Sequence, residues 1–225
     1  MSEARLPYGR IASLYDMTLT LSGFRHGVAR FLDRLPLDLS RQPRLLDAGC
    51  GTGLVAEYLL RRFPQAEVVA FDVDRRMLAV MRRSFRRRPA VAARLTIAVG
   101  DLAAPGRLHR LDDGRLLAPP PGGFDAITVG AALEHVALPT ALAGLHRLLR
   151  PGGLLLVLGV RAGPPGALLG RLYRFRPYRV PQLRLALEQA GFGDVRVTNP
   201  AAGDFPANLT RFAVLARRLP SSRRA

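Results

Sequence analysis

The chain has 225 residues, 48% of them hydrophobic, which suits one domain of ordinary size with a substantial core. No apolar run reaches the about 20 residues of a membrane span, and no apolar stretch follows the N-terminus as a secretory leader would require. The 34 basic residues, all arginine, outnumber the 17 acidic ones for a net charge of +17 that cannot be titrated away; it suits an anionic partner, either nucleic acid or a membrane surface, and reads equally as a compositional preference for arginine over lysine.

In chain order, residues 8–36 read as one or two helices, with Phe24, Val28, Phe31 and Leu32 at helical spacing. Leu45-Leu46-Asp47 is a short buried strand. Three glycines then alternate with small residues, Gly49-Cys50-Gly51-Thr52-Gly53, ahead of a helical run from Leu54. Such glycines let backbone approach a ligand where a Cβ would collide. A second strand, Val68 to Asp74, places Asp72 about 20 residues past Gly49, at the tip of the neighbouring strand, where an acid accepts ribose hydroxyls.

Residues 75–88 are expected to form an arginine-faced helix stopped by Pro89. Leu95–Val99 ends in Gly100-Asp101-Leu102 as a third strand. A hairpin around Asp113-Gly114 follows within residues 107–117. Phe124–Gly130 is a fourth strand, and Arg150-Pro151-Gly152-Gly153 leads into a fifth. Residues 183–190 make a helix, and strands near residues 195–197 and 212–216 complete the pattern. The expected fold is therefore α/β, a seven-stranded, mostly parallel doubly wound sheet with its ligand across the carboxyl edge.

The spacing excludes two ligand classes. A dinucleotide turn needs its third glycine where Leu54 stands, and a phosphate-binding Walker loop needs a lysine, which the chain lacks. What the ordered pieces do resemble is the class I S-adenosylmethionine-dependent methyltransferases, over roughly residues 44–160. The matching motifs are Asp47 to Gly53, the acid at Asp72, Gly100-Asp101-Leu102, Phe124-Asp125 and Arg150 to Gly153. The resemblance implies S-adenosylmethionine as cofactor, wrapped by Asp47, Ala48, Gly49, Cys50, Gly51 and Gly53. Asp72 with Val73 would take the ribose, and Asp101 with the Leu102 amide the adenine. Read by themselves, Asp47 serves equally to satisfy turn amides and Asp72 to cap the helix that follows. Cys50, the sole cysteine, reads as a small filler rather than a nucleophile and agrees with a cytoplasmic home.

Tyr15-Asp16 is similar to the pair in quinone-biosynthesis methyltransferases and bacterial phospholipid N-methyltransferases, whose N-terminal segment closes over the cofactor. That implies Tyr15 as a contact, with Tyr8 a weaker one. The stretch after the fourth strand, Gly130 to Val136, departs from the Asn/Asp-Pro-Pro-aromatic pattern of relatives that methylate base amines. Its His135 is either a general base or a structural histidine at the next helix. His26, His109 and His146 show no metal spacing, so no metal is expected.

The domains follow: residues 1–42 a helical cap, 43–219 the cofactor-binding domain with a lid near 161–179, and 220–225 a basic tail. A small or lipid-like acceptor methylated at O, N or C is the expected substrate, with contact to an anionic membrane as a further partner. An arginine-rich nucleic-acid-binding protein on the same fold, an RNA methyltransferase or an inactive relative, is the alternative.

Overall fold

The computed structural model describes residues 12–173 and 175–220, the side chains of residues 12–15 and 173 excepted. Tyr8 and residues 221–225 of the basic tail lie outside it. Two helices, α1 (Ala12–Leu21) and α2 (Phe24–Asp33), precede the sheet. The sheet then alternates with helices: β1 (Arg44–Ala48), α3 (Leu54–Arg62), β2 (Glu67–Asp72), α4 (Arg75–Phe85), α5 (Pro89–Ala92) and β3 (Leu95–Val99). A hairpin of β4 (Leu108–Arg110) and β5 (Leu116–Leu117) follows. Then come β6 (Phe124–Gly130), α6 (Leu138–Leu148), β7 (Leu149–Val160), α7 (Pro164–Tyr173), α8 (Val180–Gln189), β8 (Phe192–Thr198) and β9 (Arg211–Arg218).

The strand order is β5-β4-β3-β2-β1-β6-β7-β9-β8. From β3 to β7 neighbours run parallel, while β9 is inserted antiparallel between β7 and β8. The chain starts mid-sheet at β1, winds out to β3, then crosses back to lay β6 on the other side of β1. That reversal opens a crevice at the carboxyl edge of β1 and β6. Successive residues of β1 face opposite layers. Leu45 packs with Val28, Phe31, Leu59 and Leu78 from α2, α3 and α4, whereas Leu46 packs with Leu142, Leu145 and Leu187 from α6 and α8.

The sheet has nine strands rather than seven. The hairpin, expected as an insert, pairs antiparallel with β3 and extends the edge. Leu108 is fully buried there, in space that a side chain at Gly100 would fill: a Cβ would stand 2.3 Å from Leu108 Cδ2. A second correction concerns residues 75–88. The helix ends at Phe85, and Pro89 opens α5 as a first-turn proline instead of closing α4.

Some arginines serve the fold itself. Arg94 donates to the carbonyls of Leu60, Phe63 and Ala66 at the end of α3. Arg218 donates to those of His146, Arg147 and Leu149 at the end of α6. Each guanidinium supplies donors where a helix leaves carbonyls unbonded and its dipole is negative. Among the described residues no helix is long and apolar enough to cross a membrane.

Candidate active site

At the carboxyl edge lies a cavity of about 660 Å³, within the size range of small-molecule sites. Its first wall is the turn after β1. Gly49 and Cys50 donate their N–H groups to the Phe71 carbonyl, at 2.8 and 2.9 Å, and Gly51 donates to Asp72 Oδ2 at 2.9 Å. The turn is thus laced to the end of β2. Gly49 has φ of +71°, and a Cβ there would stand 2.4 Å from Ala132 Cβ. Only glycine accepts that conformation and that proximity without distortion.

Asp72 braces this turn. Its second oxygen accepts the Asp74 N–H at 2.9 Å, and burial raises its carboxyl above the ordinary range. Its alternative role as a helix cap is not the one it plays, because Asp74 caps α4 by accepting from the Arg76 N–H at 2.8 Å. Asp47 is 1% exposed, and burial pushes its carboxyl up to about 7. It faces Thr128 across the β1–β6 pairing and accepts that hydroxyl at 2.8 Å. Oδ2 of Asp47 is buried without a hydrogen-bond partner among the described residues. The hydrogen bond that Asp47 accepts therefore comes from Thr128 and not from the turn amides.

Of the residues expected at the cofactor, Asp47, Gly49, Cys50, Gly51, Asp72, Val73, Asp101 and Leu102 line this cavity. Asp101 is exposed and also accepts the Ala103 N–H at 2.8 Å. Ala48 and Gly53 stand behind the wall. Ala48 is fully buried in the sheet, and Gly53, at φ of +89°, caps α3 against Met81. Cys50 is buried, which drives its thiol well above the usual value and removes it as a nucleophile. The Tyr15 backbone belongs to α1, but its side chain lies outside the described residues.

A model of the methyltransferase domain matches residues 46–155. Demethylmenaquinone methyltransferase of Thermus thermophilus is 34% identical over 202 residues, covering 89% of this chain and 84% of that protein. This chain belongs to the class I S-adenosylmethionine-dependent methyltransferases. Its likeness is to the quinone-biosynthesis type: a ubiquinone/menaquinone biosynthesis C-methyltransferase of Dinoroseobacter shibae is 36% identical over 153 residues, 67% of this chain and 56% of that protein. Geranyl diphosphate C-methyltransferase from Streptomyces coelicolor, solved with Mg2+, geranyl diphosphate and S-adenosyl-L-homocysteine, shares the fold. Its TM-score is 0.68 at 13% identity, over 86% of this chain and 80% of that one.

The residues present fit the family's cofactor. The glycines of the turn admit a close ligand, and the buried Asp47 carboxyl leaves an oxygen for a cation. Carboxylates without an anion cradle suit a ligand that is cationic and lacks phosphate. When bound, that cofactor supplies a methyl group on a sulfonium that departs as a neutral thioether, so the protein's work is alignment and exclusion of water.

The cavity continues from the turn into an apolar chamber walled by Phe24, Val28, Phe31, Leu158, Leu169 and Phe175. His135 also lines the cavity, on a 3₁₀ turn after β6, its ring edge-on to Phe175 with centroids 5.3 Å apart. Burial lowers its pKa, which keeps the imidazole neutral and able to accept a proton near pH 7. Two tethers hold the walls. Tyr178 O–H is shared between the carbonyls of Leu133 and Val136, at 3.1 and 3.2 Å, joining the segment after α7 to the turn that bears His135. Arg25 pairs with Asp16 and with Glu57, fastening α1 and α2 onto α3.

The chamber was the part that residue patterns missed. Phe24 was visible only as a core position, and Phe175 only as part of the lid; nothing local marks Ala131, Ala132 or Arg211 as lining it. Ala131 carries φ of +51°, an uncommon conformation for a residue with a Cβ, and the turn it makes sets Ala132 against Gly49.

Proposed function

We propose that this methyltransferase acts on a small, apolar or amphiphilic acceptor at O, N or C. The observation that carries this is the continuity of the glycine turn with a chamber walled almost wholly by aliphatic and aromatic side chains. Relatives point the same way: their names specify demethylmenaquinone, malonyl-[acyl-carrier protein] and geranyl diphosphate as what those proteins methylate or bind. His135 takes the proton where the acceptor must give one up. Asp47, Gly49, Cys50, Gly51, Asp72, Val73, Asp101 and Leu102 hold the cofactor.

Residues 1–42 act as a cap, supported by Thr18, Leu19 and Ser22 of α1 in the cavity wall, and α7 acts as a lid through Pro165 and Leu169. The lid's apolar face divides. Leu169 turns inward, while Leu168 and Leu172 are 68% and 60% exposed beside the exposed Arg171. Met17 and Leu21 on α1, and Phe205 and Leu209 ahead of β9, are also exposed on elements that border the cavity. A cytoplasmic enzyme that rests this apolar, arginine-bearing rim on an anionic membrane would draw its acceptor from the lipid phase.

Tritiated methyl transfer into fractions of a cell lysate tests the acceptor class. Label is expected in the organic extract, and label confined to nucleic acid would refute the proposal in favour of the RNA reading. Sedimentation with vesicles tests the rim: binding is expected to anionic vesicles and not to neutral ones. Equal recovery from both, or from neither, would remove the membrane.

A further inference from the structure

The chamber holds one permanent cation among the described residues, and it stands far from the carboxylates of the turn. Arg211 opens β9, and its register partner is Val160 at the end of β7, so it lies on the same carboxyl edge as Asp72. Between β2 and β9 run β1, β6 and β7. Four strand spacings of about 4.8 Å put the ends of the two strands roughly 19 Å apart. The Arg211 guanidinium lies over the Phe24 ring, 4.9 Å from its centroid, and NH1 donates to the Thr210 carbonyl at 3.4 Å.

That arrangement fixes the side chain without using up its charge. The ion pairs among the described residues engage Arg25, Arg34, Arg88, Arg110, Arg115, Arg150 and Arg196, but not Arg211. The carboxyl whose titration Arg211 affects is Glu134, which accepts the Val160 N–H at 3.0 Å and which burial holds above the usual carboxylate range. Glu134 forms no ion pair with Arg211 among the described residues. Beside Arg211, the Thr210 hydroxyl is buried without a hydrogen-bond partner among the described residues, leaving a second polar group at the same place.

We infer that Arg211, with Thr210, seats an anionic oxygen group, carboxylate or phosphate ester, at the end of an apolar acceptor, and so determines which acceptors this methyltransferase accepts. A guanidinium presents several N–H donors in a plane that matches such a group, and at an apolar wall each charge-assisted bond is stronger than in water. The same geometry turns cationic acceptors away. The aromatic face an ammonium would seek, that of Phe24, is already covered by a cation. The inference rests on the methyltransferase reading of the cavity and goes beyond it in naming the acceptor's charge.

Calorimetry on the full chain saturated with S-adenosylhomocysteine tests it, with octanoate, octyl phosphate, octanol and octylammonium as probes of equal chain length. At least one of the two anions is expected to bind about tenfold tighter than octanol, the worth of one charge-assisted hydrogen bond, and octylammonium weakest of all. Whichever anion leads identifies the group as carboxylate or phosphate ester. In Arg211→Gln the preference should fall below about threefold with octanol affinity unchanged, and Arg211→Lys should restore part of it. Thr210→Val gives an independent variant, expected to cut the preference by a few-fold.

No preference in the parent protein, or a preference that survives Arg211→Gln as general attraction to the +17 chain, overturns the inference. Affinity for S-adenosylhomocysteine, read in every variant, separates the two readings. If it is absent from the parent while the anion preference stands, the cofactor assignment fails and the anion seat remains. If it is intact while the preference is missing, the anion seat alone fails.

Discussion

Replacing Asp47 by Asn should make the ligand-free protein more stable at pH 8 and worse at its task. The Asp47 carboxyl is 1% exposed and titrates at about 7 instead of its ordinary 3.8, first because of burial and also because the Asp72 charge is near; the bond from Thr128 offsets part of this. A raised carboxyl pKa means that the folded state holds its proton more tightly than the unfolded one. The resulting cost is absent below the unfolded value, grows between pH 4 and 7, and is complete above about 7. Some three pH units at 1.36 kcal/mol each set a ceiling of about 4 kcal/mol.

Asn keeps an oxygen for the Thr128 hydroxyl and cannot ionise. At pH 4 Asp47 is protonated and neutral like Asn, so the difference between the two proteins there is the pH-independent baseline from which the gap is read. The gap should open by up to 1.4 kcal/mol per pH unit from pH 5 to about 7, then stop. With a shift of about 2–4 °C per kcal/mol for a chain of this size, the variant melts at least about 2 °C higher at pH 8. Scanning calorimetry across pH 5–8 without ligand reads this directly. A gap that does not change with pH, or a variant less stable at pH 8 than at pH 5 relative to the parent, refutes the buried-charge account. The same charge is what a ligand's ammonium would neutralise. At pH 6.5 the parent should release up to one proton on binding S-adenosylhomocysteine, seen as a buffer-dependent heat, and Asp47→Asn should release none.

Asp72→Ala removes both the expected ribose acceptor and the brace on Gly51, and calorimetry should show S-adenosylhomocysteine affinity down by about 1.5 kcal/mol or more; a smaller loss would move the ribose elsewhere. Gly49→Ala sets a Cβ 2.4 Å from Ala132 at φ of +71°, so affinity should fall at least about tenfold, and unchanged binding would show that the turn yields freely. Tyr178→Phe unties the lid segment from the His135 turn; turnover should drop several-fold with S-adenosylhomocysteine affinity within about threefold, and a parallel loss of both would make Tyr178 merely structural. His135→Asn should slow turnover and erase an acidic limb of the pH profile lying below about 6.5, the side to which burial moves the ring, and a limb that persists would assign the proton to another group.

The glycine turn and the acid laced to it were legible in the sequence because backbone that approaches closely can be written in one short run of residues. Gly49 and Gly51 follow β1 and Asp72 ends β2, and the parallel pairing of these strands brings their ends together. The mostly parallel α/β sheet followed from the same alternation of strand and helix, but the order and number of its strands did not. A hairpin reads alike whether it stands free or docks on an edge, and burial of Leu108 against the space at Gly100 decided that. Even the division of labour between Asp72 and Asp74 needed the folded chain, since both stand within reach of the first turn of α4 and only geometry says which one caps it. The apolar part of the cavity was decided by tertiary structure alone. Phe24, His135, Phe175 and Arg211 come from four segments whose local patterns announce a core helix, a turn, a lid and a strand. Their meeting depends on β9 lying antiparallel beside β7 and on α2 folding back over the sheet edge, long-range placements that no local run of residues encodes.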